Sequence, residues 1–313
     1  MGLLNDMKKY KGFSLLKDYL KNHILFYAFF QFLILRKDRT GLELFRNCRS
    51  KKLYDKLARK NSKILASFSY DESEILYEQN ETVWFLWLQG IKNAPALVQK
   101  CYKSVCKNFS EYKIILLTSE NIFDFAEIPD FVIAKWKKGI ISNTHFSDLL
   151  RMYLLEQKGG IWIDATVFVT GKIPCSILES DFFVFQDLKP GKDGKATFIS
   201  SWFMKSVRGY PIIKFTRILL EEYWKEHNWL CDYFLLHIFM CMVLRRFPKL
   251  WKPIPQYTNS TPHILFFTLF EKFDEMKFNS ICGQTPIHKL SYKVIDESKI
   301  VGSVYEKLIF GEK

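Results

Sequence analysis

Within Phe146–Val167 (FSDLLRMYLLEQKGGIWIDATV) four side chains are spaced for chemistry. Asp148 and Arg151 stand three residues apart, so on a helix they share one face. A carboxylate there accepts hydrogen bonds from sugar hydroxyls, and a planar guanidinium holds a phosphate with its fork. Asp164 and Thr166 stand two apart, so on an extended strand they point the same way. A carboxylate and a hydroxyl so placed suit a divalent cation, Mn2+ or Mg2+, that in turn carries a diphosphate. On spacing alone, a structural ion pair is an equal alternative for Asp148 and Arg151.

The same segment supplies the elements that position these groups. Ser147 is placed to cap a helix, with Asp148 in its first turn, where the helix dipole favours negative charge. Leu149, Leu150, Tyr153 and Leu154 recur at helical spacing as an apolar stripe. Gly159-Gly160 ends the helix, because glycine enters the left-handed conformation without steric cost. Ile161-Trp162-Ile163 then runs as a buried strand with Asp164 at its carboxyl end. In open α/β sheets that edge is where ligands bind.

The flanking chain predicts a mostly parallel sheet. Thr82–Leu88 is a strand, and Gln89 and Gly90 end it at the edge where a nucleotide would lie. Pro95 opens a helix to about Lys107, and Tyr112–Leu117 is a second strand, which makes a βαβ unit. Asp181–Gln186 and Thr197–Phe203 read as later strands, joined through a turn or mobile loop at Lys189–Lys195. Pro211–His227 and Leu230–Arg246 read as helices. From Pro248 onward the pattern is irregular, with a helix around Ile264–Lys272. Asp232, at a helix start, faces an acceptor and is the candidate general base. His237 lies about 140° further around that helix, so it does not share the site with Asp232.

The run SDLLRMYLLEQKGGIWIDATV resembles the signature of the DXD-type sugar transferases, closest to the capsular polysaccharide synthesis branch. That branch is related to fungal Golgi mannosyltransferases and to the glucosylating clostridial toxins. VWFLWLQG at Val83–Gly90, DYFLLH at Asp232–His237 and His288-Lys289-Leu290 resemble further motifs in the family's order, and the resemblance covers roughly residues 80–295. One position departs from the pattern: Thr166 stands where many relatives carry a second aspartate. The resemblance implies a GT-A-like, Rossmann-type α/β fold and a retaining transfer of a hexose from a nucleotide-diphosphate sugar to a lipid-linked oligosaccharide. It implies that Gln89 and Gly90 line the base and ribose pocket. Asp148 and Arg151 would contact donor sugar and phosphate, Asp164 and Thr166 the metal. His288 would complete the metal shell and Lys289 would neutralise the leaving diphosphate. Specificity would lie on loops around Lys189–Lys195 and Ser200-Ser201-Trp202.

Charge divides the chain. Residues 1–63 hold 16 Lys+Arg against 5 Asp+Glu, and the remainder holds 30 against 28. Residues 1–78 therefore read as a basic helical extension and 79–313 as the transferase domain. Ile24–Leu35 is apolar except for Gln31, too short to cross a bilayer alone, and lacks the cleavage site of a signal peptide. Flanked by Lys17, Lys21, Arg36, Lys37 and Arg39, it suits a helix lying on an anionic membrane surface at the cytoplasmic face. Nucleic acid is not an expected partner, because the basic residues adjoin so apolar a run. Seven cysteines without a CxxC pair read as buried structural thiols in a reducing compartment. The alternative is a catalytically inactive, basic membrane- or nucleic-acid-binding protein on the same fold.

Overall fold

Alternation along two short strands builds the two faces of a central sheet. In β1 (Thr82–Leu86) Val83 and Phe85 face one core cluster, and Trp84 faces the other. In β3 (Gly160–Ile163) Ile161 and Ile163 likewise oppose Trp162. Both faces are covered, which explains the near-continuous apolar runs. The computed structural model describes residues 19–35, 38–77, 79–188, 195–293 and 297–311. Most of the Lys189–Lys195 segment, residues 1–18 and Arg36-Lys37 therefore lie outside the described residues.

With β2 (Lys113–Leu117), β5 (Phe182–Gln186) and β6 (Ile199–Ser206), the five-stranded order is β2-β1-β3-β6-β5. β1 pairs in parallel with β2 and β3, whereas β6 runs antiparallel to β3 and β5. The sheet is thus mostly parallel and flanked by helices, with a helical part at its N-terminal side. This is the expected α/β architecture.

The principal helices are α1 (Leu25–Ile34), α2 (Arg39–Lys60), α3 (Ala96–Asn108), α4 (Asn143–Gln157), α5 (Pro211–Glu226), α6 (Leu235–Arg246), α7 (Glu275–Gln284) and α8 (Val304–Phe310). Helices α4, α5 and α6 cover the Trp162 face, and Val105 and Phe109 at the end of α3 pack on the other. Leu53 and Leu57 of α2 join the same cluster as α4. The segment set apart by its charge is therefore packed on the main body.

Three local expectations are corrected. The helix carrying Asp148 starts earlier, and Ser142 rather than Ser147 caps it by accepting from the His145 N–H. Asp148 then lies beyond the first turn and is buried. The region after Pro248 is more ordered than its pattern suggests. It contains α7, α8 and β7 (Ile287–Lys289), and β7 pairs antiparallel with β4 (Val167–Val169). Its apolar side chains pack with Leu97 and Cys101 of α3 in a third cluster. The expected Ile264–Lys272 helix shrinks to Ile264–Thr268. Cys101, Cys231 and Cys241 are buried thiols, but Cys175 is exposed.

Gly159 and Gly160, at φ +73° and +97°, turn α4 into β3. A Cβ on Gly160 would sit 2.5 Å from the Thr82 carbonyl oxygen. That close approach lets β3 pair with β1 and brings Asp164 to the carboxyl edge.

Candidate functional site

A cleft of about 750 Å³ opens at the carboxyl ends of β1 and β3. It is bordered by Leu86–Gln89, by the N-terminal half of α4, by Ser201-Trp202 of β6, by Tyr233-Phe234 and by 289–293. Trp162 and Asp164 alternate onto the sheet face that α4 covers, so α4 delivers Arg151 directly above them. The guanidinium lies over the Trp162 ring at 4.9 Å.

Arg151 organises the site. Its Nη2 lies 3.1 Å from Asp148 Oδ1 and 3.4 Å from Asp164 Oδ1. Its Nη1 donates to the Ser201 carbonyl at 2.6 Å and to Ser201 Oγ at 2.9 Å. Its Nε donates to the Ser147 carbonyl. The guanidinium fork is thus occupied by protein acceptors. In this arrangement Arg151 is a clamp that aligns two carboxylates. Ser201 Oγ continues the network to His237 Nε2 at 3.2 Å. His237 therefore borders the cleft, and burial pushes it down to about 4, so its ring is neutral.

Asp164 Oδ1 accepts from the Trp162 indole N–H at 2.9 Å, and Oδ2 accepts from Lys289 Nζ at 3.1 Å. Burial alone would raise this carboxyl. The Lys289 ammonium and the Arg151 guanidinium outweigh it and hold the group below its ordinary value. Thr166 reaches the site by another route than strand alternation. β3 ends at Ile163, and a turn closed by Val167 N–H to the Asp164 carbonyl carries Thr166 around. Its Oγ1 accepts from Lys289 Nζ at 2.7 Å.

The β4–β7 ladder decides which residue of the His288-Lys289 pair enters. Lys289 is opposite Val167 and His288 opposite Phe168. Neighbours on a strand face opposite ways. Lys289 enters the cleft, and His288 turns to Thr170 Oγ1 at 3.0 Å, fully buried. The expectation that His288 joins Asp164 at a metal is corrected accordingly.

Asp232 is not free in the cleft either. Its Oδ2 accepts from Arg49 at 2.8 Å and its Oδ1 from the Phe234 backbone N–H. The candidate base is thus engaged in contacts that pin the loop presenting Tyr233 and Phe234. Gln89 borders the cleft as expected. Gly90 lies just behind it at φ +76°, and its N–H closes a turn onto the Trp87 carbonyl. Trp87 and Tyr292, edge-to-face at 5.6 Å, form an aromatic wall that no spacing in the sequence announced. The Trp87 indole N–H is buried without a protein acceptor.

These residues do not fit a divalent cation. The carboxylate oxygen and hydroxyl that would anchor one are already bridged by the Lys289 Nζ ammonium. Arg151 separates Asp148 from Asp164. Among the described residues no group of three or more His, Cys, Asp or Glu is placed to hold a metal.

Comparison with known proteins adds three findings. The chain is 24% identical over 189 residues to the O-glycosyltransferase braB of Annulohypoxylon truncatum, covering 54% of this chain and 43% of that protein. It therefore spans less than half the length of that curated relative. Among solved structures it is similar to "PaToxG Glycosyltransferase", at 16% identity and a TM-score of 0.40, over 66% of this chain and 83% of that one. The family described as capsular polysaccharide synthesis protein matches residues 37–308, so the run includes α2 as well as the sheet and the cleft, and the chain belongs to that family.

Proposed function

We propose that the protein is a GT-A-like glycosyltransferase that moves a hexose from a nucleoside-diphosphate sugar to a lipid-linked oligosaccharide in capsular or surface polysaccharide synthesis. The observation that carries this reading is the pair Asp148 and Asp164, aligned by one guanidinium beside the Lys289 ammonium, at the carboxyl edge of a mostly parallel sheet. Carboxylates held in this way accept hydrogen bonds from sugar hydroxyls. An ammonium beside them stabilises charge that develops on a departing diphosphate. Family membership and the partial similarity to braB support the same chemistry.

The absence of an unengaged carboxylate among the described cleft residues supports retention. Asp148 and Asp164 are held by Arg151, and Asp232 is held by Arg49. On a front-face course the bond from the anomeric carbon to the diphosphate oxygen breaks. The acceptor oxygen bonds to the same face, and its proton passes to the leaving diphosphate. No protein base is required.

Helix α1 supports work at an anionic membrane surface. Phe26, Phe29, Phe30, Leu33 and Ile34 are exposed on it. The segment before it is tied to the cleft mouth, since Asn22 donates to the Cys231 carbonyl at 3.1 Å. An acceptor carried on a lipid would thus meet the cleft from the side of α1. Among the described residues no helix is long and apolar enough to cross a membrane.

A panel of nucleotide sugars tests the assignment, read by released nucleoside diphosphate. One donor is expected to be hydrolysed slowly without acceptor, and Asp164→Asn is expected to lower that rate at least about a hundredfold. If no donor binds or turns over, the transferase reading fails.

A further inference from the structure

We propose that this chain works without a divalent cation and that the Lys289 ammonium stands in the cation's place, between Asp164 Oδ2 and Thr166 Oγ1. The inference rests on the transferase reading above and specifies how its diphosphate is held.

Position supports it first. Nζ lies 3.1 Å from the carboxylate oxygen and 2.7 Å from the hydroxyl oxygen, the same two atoms a cation would need. An ammonium has three N–H donors. Two are used here, and among the described residues the third has no protein acceptor. Lys289 and Asp164 both border the cleft, so that third donor is available to a phosphate oxygen.

Coordination chemistry supports it second. A small divalent cation needs near-octahedral oxygen ligands, with one or two protein carboxylates anchoring it and water and substrate phosphates completing the shell, and here Lys289 already occupies the anchoring oxygen. The site offers a single carboxylate oxygen. Thr166 is neutral, and the neighbouring histidine is turned away to Thr170. A cation bound to Asp164 would also lie within a few ångströms of both Lys289 and Arg151, where like charges repel strongly.

Construction supports it third. Lys289 sits in register with Val167, and the Leu290 N–H donates to the Thr166 carbonyl at 2.9 Å. The lysine and threonine thus belong to one ladder, so their spacing is set by backbone pairing rather than by a flexible side chain alone. Thr166 belongs to the same design. A second carboxylate at position 166 would neutralise the ammonium, whereas a hydroxyl orients it and leaves its charge for the diphosphate. Lys293 adds another cation at the cleft border.

The test is calorimetric binding of UDP, GDP, CDP and ADP to the full chain, in EDTA and in excess Mn2+. Donor hydrolysis is measured in parallel. The expected result is that one nucleoside diphosphate binds within about twofold of the same affinity in both conditions. Lys289→Met is expected to weaken it about 10- to 100-fold, the loss of one charge-assisted contact. Thermal unfolding confirms that this variant is folded, and Lys289→Gln provides a second if it is not. A double variant, Thr166→Asp with Lys289→Ala, is expected to bind only when Mn2+ is added. Binding and turnover that appear in the native chain only with Mn2+ would overturn the inference and leave the transferase reading standing. Equal binding in EDTA that survives both Lys289 variants would likewise overturn it. No binding of any nucleoside diphosphate in either condition would overturn the transferase reading itself, and this inference with it.

Discussion

Arg49 Nη2 donates to Asp232 Oδ2 at 2.8 Å, joining residues 183 positions apart. The contact ties α2 to the loop that carries Tyr233 and Phe234 into the cleft. The Asp232 side chain is only 5% exposed, so removing its partner strands a nearly buried charge. Arg49→Ala should therefore cost about 2–3 kcal/mol of stability in urea unfolding. Arg49→Ala with Asp232→Ala should cost less than the two single changes summed. Asp232→Asn distinguishes this role from catalysis. A thousandfold loss of turnover in a normally stable Asp232→Asn protein would restore Asp232 as a base.

Gly160→Ala should be among the most damaging single changes in the chain. Its φ of +97° is strained for any L side chain, and the new methyl would meet the Thr82 carbonyl at 2.5 Å. Thr82 belongs to β1, so relief would require the two parallel strands to part. The expected cost is about 3 kcal/mol or more, seen as loss of soluble protein or a much lower unfolding midpoint. Gly90→Ala is the control. It has a similar φ but nothing within 4 Å of the added methyl, and should cost less.

These sites show what a one-dimensional pattern carries and what it omits. Helix α4, the glycine stop, β3 and the edge position of Asp164 were legible, because each follows from local periodicity and a turn residue. The 3.6-residue period also brought Asp148 and Arg151 together. It could not show that Ser201 and Asp164 would also occupy the guanidinium, since those acceptors come from β6 and from the turn after β3. The β4–β7 pairing was illegible for a similar reason: three-residue strands carry too little alternation to be recognised. Had β7 been recognised, period two would have excluded His288 and Lys289 from a common site. Asp232 misled because its partner lies far away in sequence on α2, and no spacing rule reaches that distance.

His288 gives a stability prediction with a definite sign. Burial pushes it down to about 4, and no charged neighbour opposes that. In the unfolded chain a histidine titrates near 6.5. Between these values the unfolded chain binds a proton that the folded chain does not. Stability should therefore fall as pH drops from about 6.5 to 4 and be fully present above that window. The slope is about 1.4 kcal/mol per pH unit for one such group. Urea midpoints across this range check it, and His288→Asn should reduce the slope by one such group's contribution, leaving that of His237. An unchanged slope in His288→Asn would mean that His288 contributes nothing and that the dependence comes from elsewhere, His237 included, which is also near 4.

The exposed face of α1 predicts membrane behaviour. Phe26 is 81% exposed and Ile34 79%. Inserting an aromatic or branched side chain among acyl chains is worth about 1.5–3 kcal/mol. Phe26→Ser with Phe30→Ser should lower sedimentation with phosphatidylserine vesicles at least about a hundredfold while leaving the unfolding midpoint unchanged, because neither ring is in the core. Raising salt should weaken binding of the native chain through its basic flanks. If the native chain fails to sediment with these vesicles at low salt, membrane attachment is excluded and the acceptor must reach the cleft from solution.

Arg151→Lys separates alignment from charge. A lysine keeps the cation but loses the planar fork, so it cannot reach Ser201, Asp148 and Asp164 together. Asp164 is held below its ordinary value against the opposing effect of burial, by Lys289 and then by Arg151. Weakening the Arg151 contribution should move Asp164 upward. If the ionised carboxylate is what orients Lys289, the acid limb of kcat/KM should shift to higher pH in Arg151→Lys. Turnover should also fall, with little change in unfolding midpoint relative to Arg151→Ala. The pH profile is the discriminating measurement, because a purely structural arginine would lower activity evenly across pH. A uniform loss with no displaced acid limb would mean that Arg151 only braces α4 against β6, and that Asp164 depends on Lys289 alone.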